Sequence, residues 1–127
     1  MRLALALVVA APMAAAQPMT PEEFETFATG RTLDYSGHGT ILGSEAYLPD
    51  RRVRDADTGG PCRDGLWYPD GPAVCFVYDG SDQRHCWLYW REGGIIRAKP
   101  QNAGPDDAAQ TVTPATTPLT CAPEVGV

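Results

Sequence analysis

The chain has 127 residues, of which 43% are apolar types and 20% charged, about one domain's worth of globular sequence. That composition excludes wholesale disorder and a polytopic membrane protein. Sixteen Asp and Glu against ten Lys and Arg give a formal charge of −6, so a nucleic-acid binder with a net basic face is excluded too.

Residues 1–16, MRLALALVVAAPMAAA, carry one Arg, an apolar run from Leu3 to Ala11, and small residues ending at Ala16. This order predicts a secretory signal peptide. A transmembrane anchor would need about 20 apolar residues, and Pro12 interrupts the run. Loss of residues 1–16 would take the formal charge from −6 to −7, because they hold one Arg and no acid. The expected product is exported, to the periplasm or the medium, with no membrane span in the mature chain.

The stretch 20–30, TPEEFETFATG, predicts one short helix. Thr20 can cap it, Pro21 fits the first helical position, and Glu23 completes a capping box. Phe24 and Phe27 share a face, and Gly30 is a natural stop. From there the pattern is short strands between turn residues: 32–36, 40–48, 51–56, 63–68, 73–78, 84–91 and 95–99. Thirteen Gly and 12 Pro suit such a turn-rich fold and not a helix bundle. The expected fold is mainly β, with the N-terminal helix packed on a bent antiparallel meander sheet or small barrel. Residues 17–99 would form this domain. Residues 100–127, rich in Pro and Thr, would follow as a segment tied back by a disulfide, with an edge strand at 110–113.

Four cysteines in a short exported chain predict disulfides, since the compartment is oxidising. They are Cys62, Cys75, Cys86 and Cys121, and no C-x-x-C is present. Three connectivities are possible. A hairpin symmetric about Gly80 and Ser81 would put Cys75 opposite Cys86, Phe76 opposite His85 and Val74 opposite Trp87, leaving Cys62 for Cys121. A slip of one residue would invert the facing and break this pairing.

The runs Tyr47-Leu48-Pro49, Arg51-Arg52-Val53-Arg54, Cys62-Arg63-Asp64-Gly65-Leu66-Trp67-Tyr68, Val74-Cys75-Phe76-Val77-Tyr78 and Cys86-Trp87, with the ending Pro123-Glu124-Val125-Gly126-Val127, carry a resemblance. The chain resembles a group of small exported alphaproteobacterial proteins of unknown function. The resemblance covers nearly the whole mature chain and implies a compact β fold. It implies no catalytic residue and no chemistry.

No G-x-S-x-G, H-E-x-x-H, Walker loop or dinucleotide fingerprint is present. His38, between Gly37 and Gly39, could act as a general base, yet sequence places no nucleophile beside it. Ser44-Glu45 lacks an identifiable third partner. Asp55-x-Asp57-x-Gly59 imitates a calcium loop, but its twelfth position is Leu66 where a bidentate Glu is required. No metal and no cofactor are expected. The aromatic residues Trp67, Tyr78, Trp87, Tyr89 and Trp90 stand out as candidate ligand-binding residues, or as the core of a small sheet. The reading is a monomeric, non-catalytic exported protein that binds a small ligand, an envelope component or a protein. The rivals are an inhibitor of a hydrolase, presenting a disulfide-tied loop at 57–64, and a small hydrolase using His38.

Overall fold

Thr20 is where the extended N-terminal segment turns into helix. In a computed structural model, which describes residues 6–10 and 16–123, β1 (Gln17–Met19) leads into α1 (Pro21–Ala28). The Thr20 hydroxyl accepts from the Glu23 N–H, and the Glu23 carboxylate reaches back to the Thr20 N–H. The predicted capping box is complete. At the other end Gly30, with φ +86°, donates its N–H to the Tyr47 carbonyl and steers the chain into the sheet. Residues 6–10 are exposed and without regular structure. Ala14 and Ala15 of the expected cleavage site, and Glu124–Val127 of the resemblance, lie outside the described residues.

Eight strands follow: β2 (Thr32–Gly37), β3 (Thr40–Tyr47), β4 (Arg52–Asp57), β5 (Arg63–Asp70), β6 (Ala73–Tyr78), β7 (Arg84–Glu92), β8 (Ile95–Pro100) and β9 (Gln110–Pro114). A 3-10 turn over Pro49–Arg51 joins β3 to β4. Each strand pairs antiparallel with the next in sequence, and β9 then pairs with β2. The meander therefore closes into an eight-stranded up-and-down barrel. The strand expected at an edge, 110–113, is no edge: β9 has β8 on one side and β2 on the other. Closure satisfies its backbone on both sides and removes the exposed edges of an open sheet. β1, a strand for which the sequence carries no signal, pairs with β7 over Tyr89–Arg91, beyond the point where β6 leaves it at Trp87.

Side chains alternate inward and outward along every strand. The inward set includes Leu33, Tyr47, Val53, Trp67, Val74, Phe76, Tyr89, Ile96, Ala98 and Val112, all buried in one core. Phe24 reaches it from α1. Its ring lies 4.2–5.8 Å from the rings of Tyr89, Tyr47 and Trp67, which belong to three different strands. A side chain can meet three walls at once only by entering from an end, so α1 plugs the barrel. That end carries the short turns at 48–51, 71–72 and 93–94. The opposite mouth carries the connections at 38–39, 58–62, 79–83 and 101–109.

Both disulfides have the connectivity favoured by the hairpin register. Cys75 faces Cys86, Phe76 faces His85, and Val74 faces Trp87. Cys62 bonds Cys121, and the Ala122 N–H donates to the Gly60 carbonyl beside it. The C-terminal segment is thereby held against the β4–β5 loop. Among the described residues no helix is long and apolar enough to cross a membrane.

Candidate functional site

An eight-stranded barrel is just wide enough to be filled by its own side chains or to hold one small ligand. Here the plugged half is filled and the open half is not. The mouth leads to a cavity of about 230 Å³, ample room for several waters. Its walls come from β2 through β7 and from β9. Tyr35 enters from β2, Glu45 from β3, Asp55 and Asp57 from β4, Tyr78 from β6, and Trp87 with Tyr89 from β7.

Local structure opens this half of the barrel. Between Tyr35 and Ser36 the β2–β3 register shifts, so that Gly43 faces Tyr35, Ile41 faces Ser36, and Leu42 is the extra residue of a bulge. Leu42 is displaced to the rim, half exposed. Gly65 lies opposite Tyr78 in the β5–β6 ladder, and a Cβ there would stand 2.4 Å from the Val77 carbonyl oxygen and 2.9 Å from the Tyr78 ring. Glycine is required for so close an approach, and it lets the Tyr78 ring lie across β5.

The floor is a hydrogen-bonded chain centred on Glu45, a carboxyl only 4% exposed. Tyr47 donates to its Oε1 at 2.8 Å and Tyr78 to its Oε2 at 2.5 Å. The Tyr35 hydroxyl touches both Tyr47, at 2.5 Å, and Tyr89, at 2.8 Å. A phenol has one proton to give. Tyr47 spends its proton on Glu45, so it accepts from Tyr35, and Tyr35 accepts from Tyr89. With Glu45 ionised, four hydroxyl protons serve four links and nothing is left over. With Glu45 neutral, five protons share the same four links, and one O–H is left without an acceptor in the chain.

Burial pushes Glu45 up to about 8, and the negative charge of Asp55 adds to the rise. The two tyrosine donors pull the other way and are outweighed. Burial also raises the phenols of Tyr35, Tyr47, Tyr78 and Tyr89, so all four remain protonated donors. Burial therefore favours the neutral, protonated form of the floor at neutral pH. Asp55 is raised too, mainly by burial, with Asp57 adding repulsion and Arg63 opposing it. Arg63 forms an ion pair with Asp55, and its guanidinium lies 4.9 Å from the centre of the Tyr78 ring.

The five aromatic candidates separate. Tyr78, Trp87 and Tyr89 line the cavity together. Trp67 does not: it is buried against Phe24 at the plugged end, with Arg51 stacked 4.8 Å over its ring. Trp90, one residue from Tyr89, faces outward, donates from Nε1 to Glu92, and lines an external apolar groove with Pro18, Met19 and Leu88. His38 sits exposed at the β2–β3 turn with φ 52°, and among the described residues its side chain makes no hydrogen bond. Sequence reasoning passed over Tyr35 and Tyr47, and it weighed Glu45 and Asp55 only to set them aside. The signal available was the alternation Gly43, Glu45, Tyr47, which places Glu45 on the same face as a large aromatic two residues away.

Comparison with protein-family models, with curated proteins and with solved structures finds no match. What bears on function is therefore the geometry of the cavity.

Proposed function

We propose that the protein is a non-catalytic binder of a small ligand, held in the open half of the barrel. The observation that carries this reading is the cavity itself: a concave space with aromatic walls and a polar floor whose every member is fixed by a neighbour. Ligand sites are concave and combine aromatic side chains with convergent polar groups, and this cavity has both in about equal measure. The setting we infer is outside the cytoplasm, after removal of residues 1–16, in a monomer related to the exported alphaproteobacterial proteins it resembles. Two disulfides suit that oxidising compartment.

The test is native mass spectrometry and thermal shift of the protein with a low-mass extract of the producing cell. A retained mass and a raised Tm are expected. Trp87→Ala should lose both, whereas Trp90→Ala, on the outside of the barrel, should keep them. Retention by Trp87→Ala together with loss in Trp90→Ala would move the site to the external groove. The inhibitor reading rests on a different feature, the β4–β5 loop anchored by Cys62–Cys121 and by the Ala122 to Gly60 hydrogen bond. Co-purification with a hydrolase, lost when residues 58–61 are replaced, would favour it instead.

A further inference from the structure

We propose that the cavity is selective for small organic cations, ammonium compounds whose charge sits between the Glu45 and Asp57 carboxyls and the aromatic walls. The proposal deepens the small-ligand reading and rests on it. Three observations lead to it.

The first is the balance of charge. Glu45, Asp55 and Asp57 face one cavity, and the single Arg in its lining, Arg63, is already paired with Asp55. Among the described residues Asp57 has no ion-pair partner. The second is the wall. Tyr35, Phe76 and Trp87 contribute aromatic rings, whose faces attract cations. The protein already uses the motif at its own rim, where the Arg63 guanidinium lies over Tyr78 while paired to a carboxylate. A free ammonium group would repeat that arrangement inside the same cavity. The third is the proton count of the floor. The hydroxyl chain is internally complete when Glu45 is ionised and has one O–H too many when it is neutral, so a bound positive charge favours the better-matched state.

Binding then exchanges charge for charge. The cation enters, the Glu45 proton leaves for solvent, and the carboxylate keeps both tyrosine donors. A metal ion fits less well, because among the described residues no three His, Cys, Asp or Glu side chains converge closely enough to ligate one. The groups that face Glu45 are Tyr35 from β2, Tyr47 from β3, Asp55 and Asp57 from β4, Arg63 from β5, Tyr78 from β6, and His85 and Tyr89 from β7. Affinity for a cation should rise with pH toward about 8, the value to which burial lifts Glu45.

The experiment compares two cations, choline and n-butylammonium, with two neutral isosteres, 3,3-dimethylbutan-1-ol and n-butanol, by calorimetric titration of the whole protein. The cations should bind at least tenfold more tightly. At pH 7, titration in buffers of different ionisation enthalpy should show release of close to one proton. Glu45→Gln should lose the proton release and most of the preference. Asp57→Asn, at an exposed residue with no side-chain hydrogen bond among the described residues, should weaken the cations severalfold without changing the fold. Equal binding of the isosteres overturns the cation proposal and leaves the cavity reading standing. The low-mass extract, passed over a cation exchanger, provides a second, independent measurement. Stabilising material in the retained fraction supports the proposal, and stabilising material confined to the flow-through overturns it. If no probe and no fraction binds, the cavity reading falls as well.

Discussion

Glu45 is a buried carboxyl, and its proton makes stability depend on pH. In the unfolded chain its carboxyl titrates near 4.5, and in the barrel burial holds the proton up to about 8. Between those values the folded state binds the extra proton. Stability from this group is therefore fully present below about pH 4.5 and declines as pH rises toward 8, by up to ~1.4 kcal/mol per pH unit. Asp55, also raised by burial, adds in the same direction. Urea unfolding between pH 5 and 8 should show this decline, and Glu45→Gln should flatten it to the part owed to Asp55. An equal slope in wild type and variant would mean that Glu45 is ionised throughout. At this scale the sequence was partly silent. Trp87 and Tyr89 stand out by residue type, and alternation along β3 puts Tyr47 on the face of Glu45, but nothing in Ser44-Glu45 shows that its carboxyl also meets the phenol of Tyr78. That contact follows from the curvature that brings β3 and β6 face to face.

Local rules made the elements legible. The capping box at Thr20 and Glu23 and the symmetry of the 75–86 hairpin both involve residues close in sequence, where turn and cap chemistry decide geometry. The Leu42 bulge and the three-residue β1 were not legible, since each depends on which strand lies alongside. The two disulfides differ as elements of stability. Their sequence separations are 11 and 59 residues, and chain-entropy reasoning gives about 3 kcal/mol for Cys75–Cys86 and about 4 kcal/mol for Cys62–Cys121. Replacing each pair by Ala should lower Tm in both cases and more for the longer loop. The Cys75/Cys86 double variant should keep the fold, because Val74, Phe76 and Tyr89 remain packed in the core. Circular dichroism melts of the two variants check both statements. A larger loss from the shorter loop would show that the interior packing around Cys75, itself fully buried, outweighs the loop entropy.

For the whole molecule, a bent sheet and a barrel could not be told apart from sequence, because the deciding pairing joins Leu33–Ser36 to Thr111–Pro114 across almost the entire chain. No local pattern encodes a contact of that span. A chain ending at residue 109 should retain the helix and hairpin sequences yet lose cooperative unfolding, since β2 and β8 would both become open edges. A single sharp transition in that truncation would argue that the seven-strand sheet is stable alone. The closure also has a meaning in time. Of the eight barrel strands β2 emerges first and its partner β9 last, so until the chain is complete β2 has one flank bare. Contacts of such long range form slowly, and an exposed flank can recruit another copy's strand meanwhile. The cavity exists only once the ring locks, so its formation marks the moment when the newest part of the chain has reached the oldest.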